Sequence, residues 1–367
     1  MTLDAVRVSS KLPDFPWDTL AAAKAVASAH PDGLVDLSVG TPVDPTPQLA
    51  RDALCSASDA PGYPTVWGTP GVRQAIIDYL VRRWHAVDLP HEGVYPVVGT
   101  KEAVAWLPTL LGLGAGDLVV IPTTAYPTYE VGARMVDAEV QACDDPGLVE
   151  GTPTLIWINS PANPHGAILS AGQTRDWVRY ARSMGAVLAA DECYAEFAWD
   201  AEPVSVLDPA VNDGEPTGVL ALHSLSKRSN LAGYRAGFVA GDPAIVGELV
   251  ATSKHLGMMV PAPVQEAMRV VLGDQDHVEE QRERYLARRR LLAPALEAAG
   301  FRIDHSEGSL YLWATRGEDC RDTVDWLAQR GILVAPGDFY GAAGRRHVRV
   351  ALTAPDERIA AAAARLS

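Results

Sequence analysis

Short runs of valine, isoleucine and leucine recur through the middle of the chain, and segments long enough for a helix separate most of them. A mostly parallel sheet with helices on both faces produces this alternation, because its strands are buried on both sides and joined by helical crossovers. The predicted strands are VYPVVG (94–99), LVVIP (118–122), AEVQAC (138–143), TLIWINS (154–160), AVLAADE (186–192), GVLALHS (218–224) and AGFVAG (236–241). The sequence therefore predicts an α/β fold built on a mostly parallel, seven-stranded sheet.

The pattern changes towards the C-terminal quarter of the chain. A long amphipathic segment over 278–300 predicts a helix that ends at Gly300, and short strand-like runs alternate with helical ones after it. A chain of 367 residues is also long for one hydrophobic core. We therefore expect a large domain over 41–275, a smaller α+β domain over 276–367, and an N-terminal segment, 1–40, that packs on the small domain.

Charge and composition narrow the classes of partner. The formal net charge of -15 disfavours nucleic acid and anionic membranes, because both are bound through basic surfaces. No apolar run reaches the ~18 residues of a membrane span, and the N-terminus lacks the pattern of a secretory signal, so we expect a cytoplasmic protein. The cysteines have neither metal-type spacing nor the pattern of a disulfide framework, and we expect no metal site. They are Cys55, Cys143, Cys193 and Cys320.

Polar residues gather where ligands bind in an open α/β sheet, beyond the carboxyl ends of the strands. Gly99, Thr100 and Lys101 form a tight turn into a helix, whose free N–H groups and dipole attract an anion. The residues that follow or end later strands are Asn163, Asp191, Tyr194, Ser224, Lys227 and Arg235. Their convergence at one edge of the sheet indicates a binding site.

This set of residue types matches the requirements of pyridoxal phosphate. A lysine amine bonds the aldehyde of the cofactor, an aspartate keeps its pyridine nitrogen protonated, and serine and arginine hold its phosphate. Each residue alone also has an ordinary structural explanation: a turn for Asn163, a helix cap for Asp191, a solvated surface for Lys227. The combination favours the cofactor site.

The sequence resembles the aminotransferases of fold type I, class I/II, over nearly its whole length. The matching motifs, in the order of that family, are YPTVWGTPGVR (63–73), GTKEA (99–103), AYPTY (125–129), NSPANPHG (159–166), DECY (191–194), SLSK (224–227), NLAGYR (230–235), PGDFYG (336–341) and VRVAL (348–352). The resemblance implies the fold of pyridoxal-phosphate-dependent transferases, with amino acids and keto acids as substrates.

The resemblance also implies a role for each matched residue. The catalytic residues would be Lys227, which bonds the cofactor, with Asp191 and Tyr194. Cofactor contacts would come from Gly99, Thr100, Lys101, Tyr126, Asn163, Asp191, Tyr194, Ser224, Lys227, Arg235 and Tyr63. Substrate contacts would come from Gly40, Asn163 and Arg349, with the arginine holding the α-carboxylate in a bidentate grip. Tyr63 is similar to a tyrosine that the neighbouring subunit contributes to the phosphate, which implies a homodimer with shared active sites.

Three more particular stretches resemble the N-succinyldiaminopimelate aminotransferases of actinobacteria, which act in lysine and cell-wall biosynthesis. They are LPDFPWDTL (12–20), DLSVGTPVDPTP (36–47) and SLSKRSNLAGYRAGF (224–238). This resemblance implies amino transfer from glutamate to N-succinyl-2-amino-6-ketopimelate. The alternatives are an aspartate, alanine or aromatic aminotransferase, a carbon–sulfur β-lyase that uses the same cofactor, and a non-catalytic sensor. For the distal carboxylates of the acceptor, charge alone suggests Lys101, Arg228 and Lys254.

Overall fold

The computed structural model describes residues 11–87 and 89–366. Its strands are β1 Val35–Asp36, β2 Val94–Val97, β3 Leu118–Ile121, β4 Glu139–Ala142, β5 Leu155–Asn159, β6 Val187–Asp191, β7 Val219–Ser224, β8 Gly237–Gly241, β9 Arg302–Ile303, β10 Tyr311–Thr315, β11 Ile332–Leu333, β12 Ala335–Pro336 and β13 Val348–Ala351. Its helices are α1 Ala21–Ser28, α2 Gln48–Ser56, α3 Pro70–Trp84, α4 Thr100–Leu110, α5 Thr128–Met135, α6 Ala171–Met184, α7 Pro209–Asn212, α8 Leu225–Arg228, α9 Pro243–Leu256, α10 Ala262–Gly273, α11 Asp276–Ala298, α12 Cys320–Ala328 and α13 Asp356–Leu366. None of these helices is both long and apolar enough to cross a membrane.

The central sheet contains all the strands that the sequence predicts for it. Its order is β2-β8-β7-β6-β5-β3-β4. The pairs formed by β3, β4, β5, β6 and β7 are parallel, whereas β8 runs antiparallel to β7 and β2. The prediction of a mostly parallel, seven-stranded α/β sheet is therefore confirmed.

Helices cover both faces of this sheet, and strand β5 shows why. Successive side chains on a strand point to opposite faces. Ile156 and Ile158 pack in a core with α3, α6 and α10, while Leu155 and Trp157 pack in another with α4, α5 and α9. Every residue of β5 is buried, so the strand appears in the sequence as a continuous apolar run.

A second sheet lies in the C-terminal part of the chain, with the antiparallel order β12-β13-β10-β9. The N-terminal segment joins this part: Val35 and Asp36 of β1 pair in parallel with Ile332 and Leu333 of β11. One apolar core holds residues of α1 together with residues of α11, α12 and α13. The domain boundaries at residues 40 and 275 stay a prediction, and these contacts are consistent with the expected position of the N-terminal segment.

Candidate active site

The carboxyl ends of β5, β6 and β7 form the floor of the site. Asn159 at the end of β5 lies opposite Asp191 at the end of β6. Ser224 ends β7 and caps the short helix α8, which carries Lys227. Because β8 returns antiparallel, with Gly237 opposite Ser224, the connection between them stays at the same edge of the sheet.

A cavity of about 660 Å³ opens at this edge. Most of the side chains singled out from the sequence line it. They are Gly40, Thr100, Lys101, Tyr126, Asn163, Asp191, Tyr194, Ser224, Lys227, Arg235 and Arg349. The fold therefore brings these residues together from positions more than three hundred residues apart in sequence.

Gly99 and Tyr63 lie outside the lining of the cavity. Gly99 caps α4 with a φ of 81°, and a Cβ at this position would lie 2.2 Å from Nη2 of Arg235. The positive φ of this cap favours glycine, and the end of the Arg235 side chain occupies the space that a Cβ would take. Tyr63 is 95% exposed in the single chain, and its contribution to a neighbouring subunit stays a prediction.

Asp191 is a buried carboxylate, with 6% of its surface exposed. Its Oδ2 accepts a hydrogen bond of 2.7 Å from the Tyr129 hydroxyl, and its Oδ1 accepts one of 3.1 Å from the Cys193 N–H. Over residues 11–87 and 89–366, no lysine, arginine or histidine forms an ion pair with it. A buried charge without a counter-charge is costly, and the protonated ring nitrogen of pyridoxal phosphate would supply that counter-charge.

Another wall of the cavity carries positive charge. Lys101 in the first turn of α4 and Arg235 are close enough that desolvation and the Arg235 guanidinium lower the pKa of Lys101. Neither cation has a carboxylate partner in the part of the chain that the structure describes. Two unpaired cations beside a helix N-terminus suit a phosphate dianion, so this wall fits the phosphate of the cofactor.

Arg349 is held rigidly in β13, with only 3% of its surface exposed. Its Nη1 donates to Oδ1 of Asn163 at 2.9 Å, and its Nη2 donates to the Ser38 carbonyl at 2.7 Å. Its guanidinium carbon lies 3.9 Å from the centre of the Tyr311 ring. Its buried Nε has no hydrogen-bond partner among the described residues. This fixed guanidinium keeps donors available for a carboxylate.

Gly40 and Tyr194 both lie against Tyr311. A Cβ on Gly40 would lie 2.0 Å from the Tyr311 hydroxyl oxygen, so the absence of a side chain makes room for that hydroxyl. The Tyr311 and Tyr194 hydroxyl oxygens are 2.9 Å apart. Burial and the neighbouring Tyr311 raise the pKa of Tyr194 well above its ordinary value, so Tyr194 remains a neutral hydroxyl.

Sequence reasoning missed several residues of the site. Tyr129 lies in the AYPTY motif, from which the family resemblance implies a role for Tyr126 alone. Tyr311 lies in β10, within the C-terminal region of short strand-like runs, where no motif marks it. An N-terminal wall, defined here as Phe15, Trp17, Leu20 and Lys24, also lines the cavity. The amphipathic spacing of positions 17, 20 and 24 was the available signal, and it also suits ordinary packing.

Of the three cations suggested for distal carboxylates, the structure places only Lys101 at the cavity. Arg228 is buried, 3.5 Å from a carboxylate oxygen of Glu196 and over the Tyr79 ring. Lys254 lies in the last turn of α9, away from the cavity lining. Charge alone was therefore a poor guide, because Arg228 is buried in an ion pair and Lys254 lies on a surface away from the cavity.

A family model described as "Aminotransferase class I and II" matches residues 32–366. The chain belongs to the class I and II aminotransferases. The cofactor of these aminotransferases is pyridoxal phosphate, and their substrates are amino and keto acids. The buried Asp191 without a counter-charge and the two cations without carboxylate partners, Lys101 and Arg235, fit that cofactor.

Relatives of this aminotransferase carry different names. A "probable aminotransferase" of Mycobacterium tuberculosis is 60% identical, over 98% of this chain and 86% of its own. The 4-dedimethylamino-4-oxo-anhydrotetracycline transaminase of Streptomyces rimosus is 56% identical, over 97% of this chain and 99% of its own. A solved structure of a "probable N-succinyldiaminopimelate aminotransferase" of Thermus thermophilus superposes with a TM-score of 0.87, at 27% identity, over 96% of this chain and 99% of that one.

Proposed function

We propose that this aminotransferase exchanges an amino group between glutamate and N-succinyl-2-amino-6-ketopimelate, giving 2-oxoglutarate and N-succinyl-LL-2,6-diaminopimelate. The observation that carries the proposal is the surplus of cations around the cavity. Lys101 and Arg235 suit the cofactor phosphate, and Arg349 suits the α-carboxylate. This leaves Lys24 lining the cavity without a carboxylate partner in the described chain. The proposed acceptor carries further carboxylates at its far end, and the name of the Thermus thermophilus structure supports the same substrate pair.

Pyridoxal phosphate supplies an electron-accepting ring that stabilises the charge left when a proton leaves the substrate Cα. In our proposal, Asp191 keeps the ring nitrogen protonated, and the Tyr129 hydroxyl orients that carboxylate at 2.7 Å. Lys227 would hold the cofactor in the resting enzyme and, once the amine of the substrate has freed it, would accept the proton that leaves Cα. Tyr126, which also lines the cavity, would stack on the ring of the cofactor.

Substrate orientation follows from Arg349 in this proposal. Its guanidinium is fixed by Asn163 and Ser38, so a bound α-carboxylate has one position relative to Lys227. Tyr194 and Asn163 would donate hydrogen bonds to the phenolic oxygen of the cofactor, and burial keeps Tyr194 protonated for this purpose. A fixed carboxylate and a fixed ring together align the Cα–H bond for transfer to the lysine.

Two subunits are part of the proposal. Tyr63 is almost fully exposed in one chain, so it can meet a phosphate only in a second chain, and we propose a homodimer with shared active sites. Sedimentation of the holoenzyme across a range of concentrations tests this. An active monomer would contradict it.

A second candidate is amino transfer to a polycyclic ketone. The Streptomyces rimosus relative is 56% identical over nearly its full length, and its name describes such a ketone. The aromatic rings of Phe15, Trp17 and Tyr126 line the cavity and suit a flat apolar substrate. The surplus of cations favours the acidic acceptor over this one.

The deciding experiment is a panel of amino donors assayed with 2-oxoglutarate. N-succinyldiaminopimelate should have a higher kcat/KM than aspartate, alanine or phenylalanine. A lower value would overturn the assigned substrate and leave the aminotransferase reaction standing. An amino acid added alone should stop after one turnover per site, whereas continued release of pyruvate would indicate a β-lyase.

A further inference from the structure

The N-terminal wall presents one side of a continuous helical segment to the cavity. A short 3₁₀ helix, Pro16–Leu20, runs directly into α1. Trp17, Leu20 and Lys24 are three and four positions apart in sequence, a spacing that places them on one face of a helix. All three line the same cavity as Lys227 and Arg349.

Packing holds this wall in place. Leu20 is 3% exposed and belongs to the apolar core of the C-terminal part of the chain, as do Ala23 and Ala27 of α1. The Trp17 ring lies 5.4 Å from the Phe339 ring, between centroids. Packing therefore fixes the N-terminal wall in its position at the site.

Two groups on the wall have unused bonding capacity. The Trp17 indole N–H is buried and has no hydrogen-bond partner within residues 11–87 and 89–366. Lys24 forms no ion pair in the same ranges. Asp18 and Asp36 also line the cavity, but neither carboxylate forms an ion pair with Lys24. Asp36 instead accepts hydrogen bonds from the Ser38 N–H and the Ser38 hydroxyl. The ammonium of Lys24 is thus available to a ligand.

The order of these groups along the wall matches a long, acidic ligand. The centre of the Trp17 ring lies 6.0 Å from the guanidinium carbon of Arg349, so Trp17 marks the end where an α-carboxylate binds. Lys24 follows two turns later, about 12 Å further along the segment. A substrate held at Arg349 reaches Lys24 only with a long side chain, since about 12 Å corresponds to between three and four extended residues of backbone.

We propose that the N-terminal wall recognises the far end of a long acidic substrate, with Lys24 as the partner of its distal carboxylate. This inference rests on the proposed function, because it concerns the substrate class of the same site. It also makes a separate claim: Lys24 distinguishes a long amino acid with a terminal carboxylate from one of equal length without it. Short substrates such as glutamate and alanine do not reach Lys24 and depend on other groups.

The test uses a matched pair of probes, 2-aminosuberate and 2-aminooctanoate, which differ in the distal carboxylate. The rate of the absorbance change in the first half-reaction, measured against the concentration of each probe and of N-succinyldiaminopimelate, gives a half-saturating concentration and a limiting rate constant, called KM and kcat here. Lys24→Met should raise KM for 2-aminosuberate and N-succinyldiaminopimelate about fivefold, as expected for an ion pair at a solvent-accessible mouth. Values for kcat, for 2-aminooctanoate and for glutamate should change less than about twofold.

Two further variants complete the design. Lys24→Arg keeps the charge and should restore most of the selectivity, whereas Lys254→Met removes an exposed lysine away from the cavity and should change nothing. An equal loss on both probes in Lys24→Met, or a wild-type enzyme that treats both probes alike, would overturn the inference.

The two hypotheses fail in different ways. In one outcome, the wild type is inactive on N-succinyldiaminopimelate, but its preference for 2-aminosuberate over 2-aminooctanoate disappears in Lys24→Met. This result contradicts the proposed function and supports recognition of a distal carboxylate by Lys24. In the other outcome, the wild type prefers N-succinyldiaminopimelate and Lys24→Met changes nothing. This result supports the proposed function and contradicts recognition of a distal carboxylate by Lys24.

Discussion

Glu196→Gln should destabilise the fold strongly, although it removes only one charge. Glu196 is 5% exposed and accepts hydrogen bonds from the Tyr79 hydroxyl at 2.9 Å and from Nε of Arg83 at 3.0 Å. Nε of Arg228 lies 3.5 Å from the same carboxylate, and Arg228 is itself 3% exposed. The substitution leaves the Arg228 guanidinium buried without its counter-charge.

The loss of stability in Glu196→Gln depends on the hydrogen bonds that Arg228 retains. Loss of one partner from a buried ion pair costs about 3–5 kcal/mol. Arg228 still donates to the Val271 carbonyl at 2.9 Å, to the Asp274 carbonyl at 3.3 Å and to the Ser229 hydroxyl at 3.1 Å. These bonds satisfy its hydrogens but not its charge, so we expect the lower end, about 3 kcal/mol.

The effect should depend on pH with a defined sign. Burial opposes ionisation of Glu196, but Arg228 and Arg83 outweigh it and hold the pKa of this carboxyl below its ordinary value of 4.5. The stability that Glu196 contributes is therefore present above pH 4.5 and is lost as the pH falls through the lower, folded-state pKa. The gap between wild type and Glu196→Gln should be full at neutral pH and narrow in acid.

Urea denaturation of the holoenzyme, at one saturating concentration of cofactor, measures the free energy of unfolding for each variant. Glu202→Gln, at an exposed position on the same connection, is the control and should stay within about 0.5 kcal/mol of wild type. If Glu196→Gln fails to fold, the double variant with Arg228→Met should recover part of the loss. A loss below about 1 kcal/mol, or one equal to that of the control, would refute the reasoning.

Three other outcomes are expected. Lys227→Ala should abolish multiple turnover while cofactor still binds without a covalent bond, as absorbance before and after dialysis would show; sustained turnover would rule out the assigned role. Tyr63→Phe should release cofactor faster on dilution and change the half-reaction rate little, and unchanged retention would argue against a phosphate contact. Burial and the neighbouring His305 lower the pKa of His165 to about 4. Below pH 6.5, His165 is therefore protonated in the unfolded chain while it stays neutral in the folded chain. Stability should fall between pH 6.5 and about 4, with His165 contributing about 2 kcal/mol of the loss at pH 5. His165→Gln should reduce the drop in urea midpoints between pH 7.5 and 5, and an identical drop would contradict this.

The central sheet could be predicted because each of its buried strands is encoded by a short, continuous stretch of sequence. Strands such as β5 are buried on both faces, so nearly every residue from Leu155 to Ile158 must be apolar, and the run is visible in the sequence. The residues at the strand ends were visible for the same reason. Asp191 and Ser224 are polar residues at the points where such runs stop.

The rest of the site could not be predicted because it is assembled by packing between distant elements. Tyr311 meets Tyr194 across a sequence separation of 117 residues, and the Ser38 carbonyl meets Arg349 across 311. No local pattern encodes either contact. Trp17 and Lys24 carry a helical spacing that ordinary core packing also produces, so only the fold shows that this face meets a ligand.

The pairing of β1 with β11 has a consequence for the order in which the protein is made. Val35 is synthesised roughly 300 residues before its partner Ile332. The sequence separation between Ser38 and Arg349 is larger still, at 311 residues. The groups facing the cofactor, from Gly99 to Arg235, are all synthesised in between. We therefore expect a nascent chain to complete the cofactor-facing surface first, and to gain selectivity for a substrate only when its last strands leave the exit tunnel.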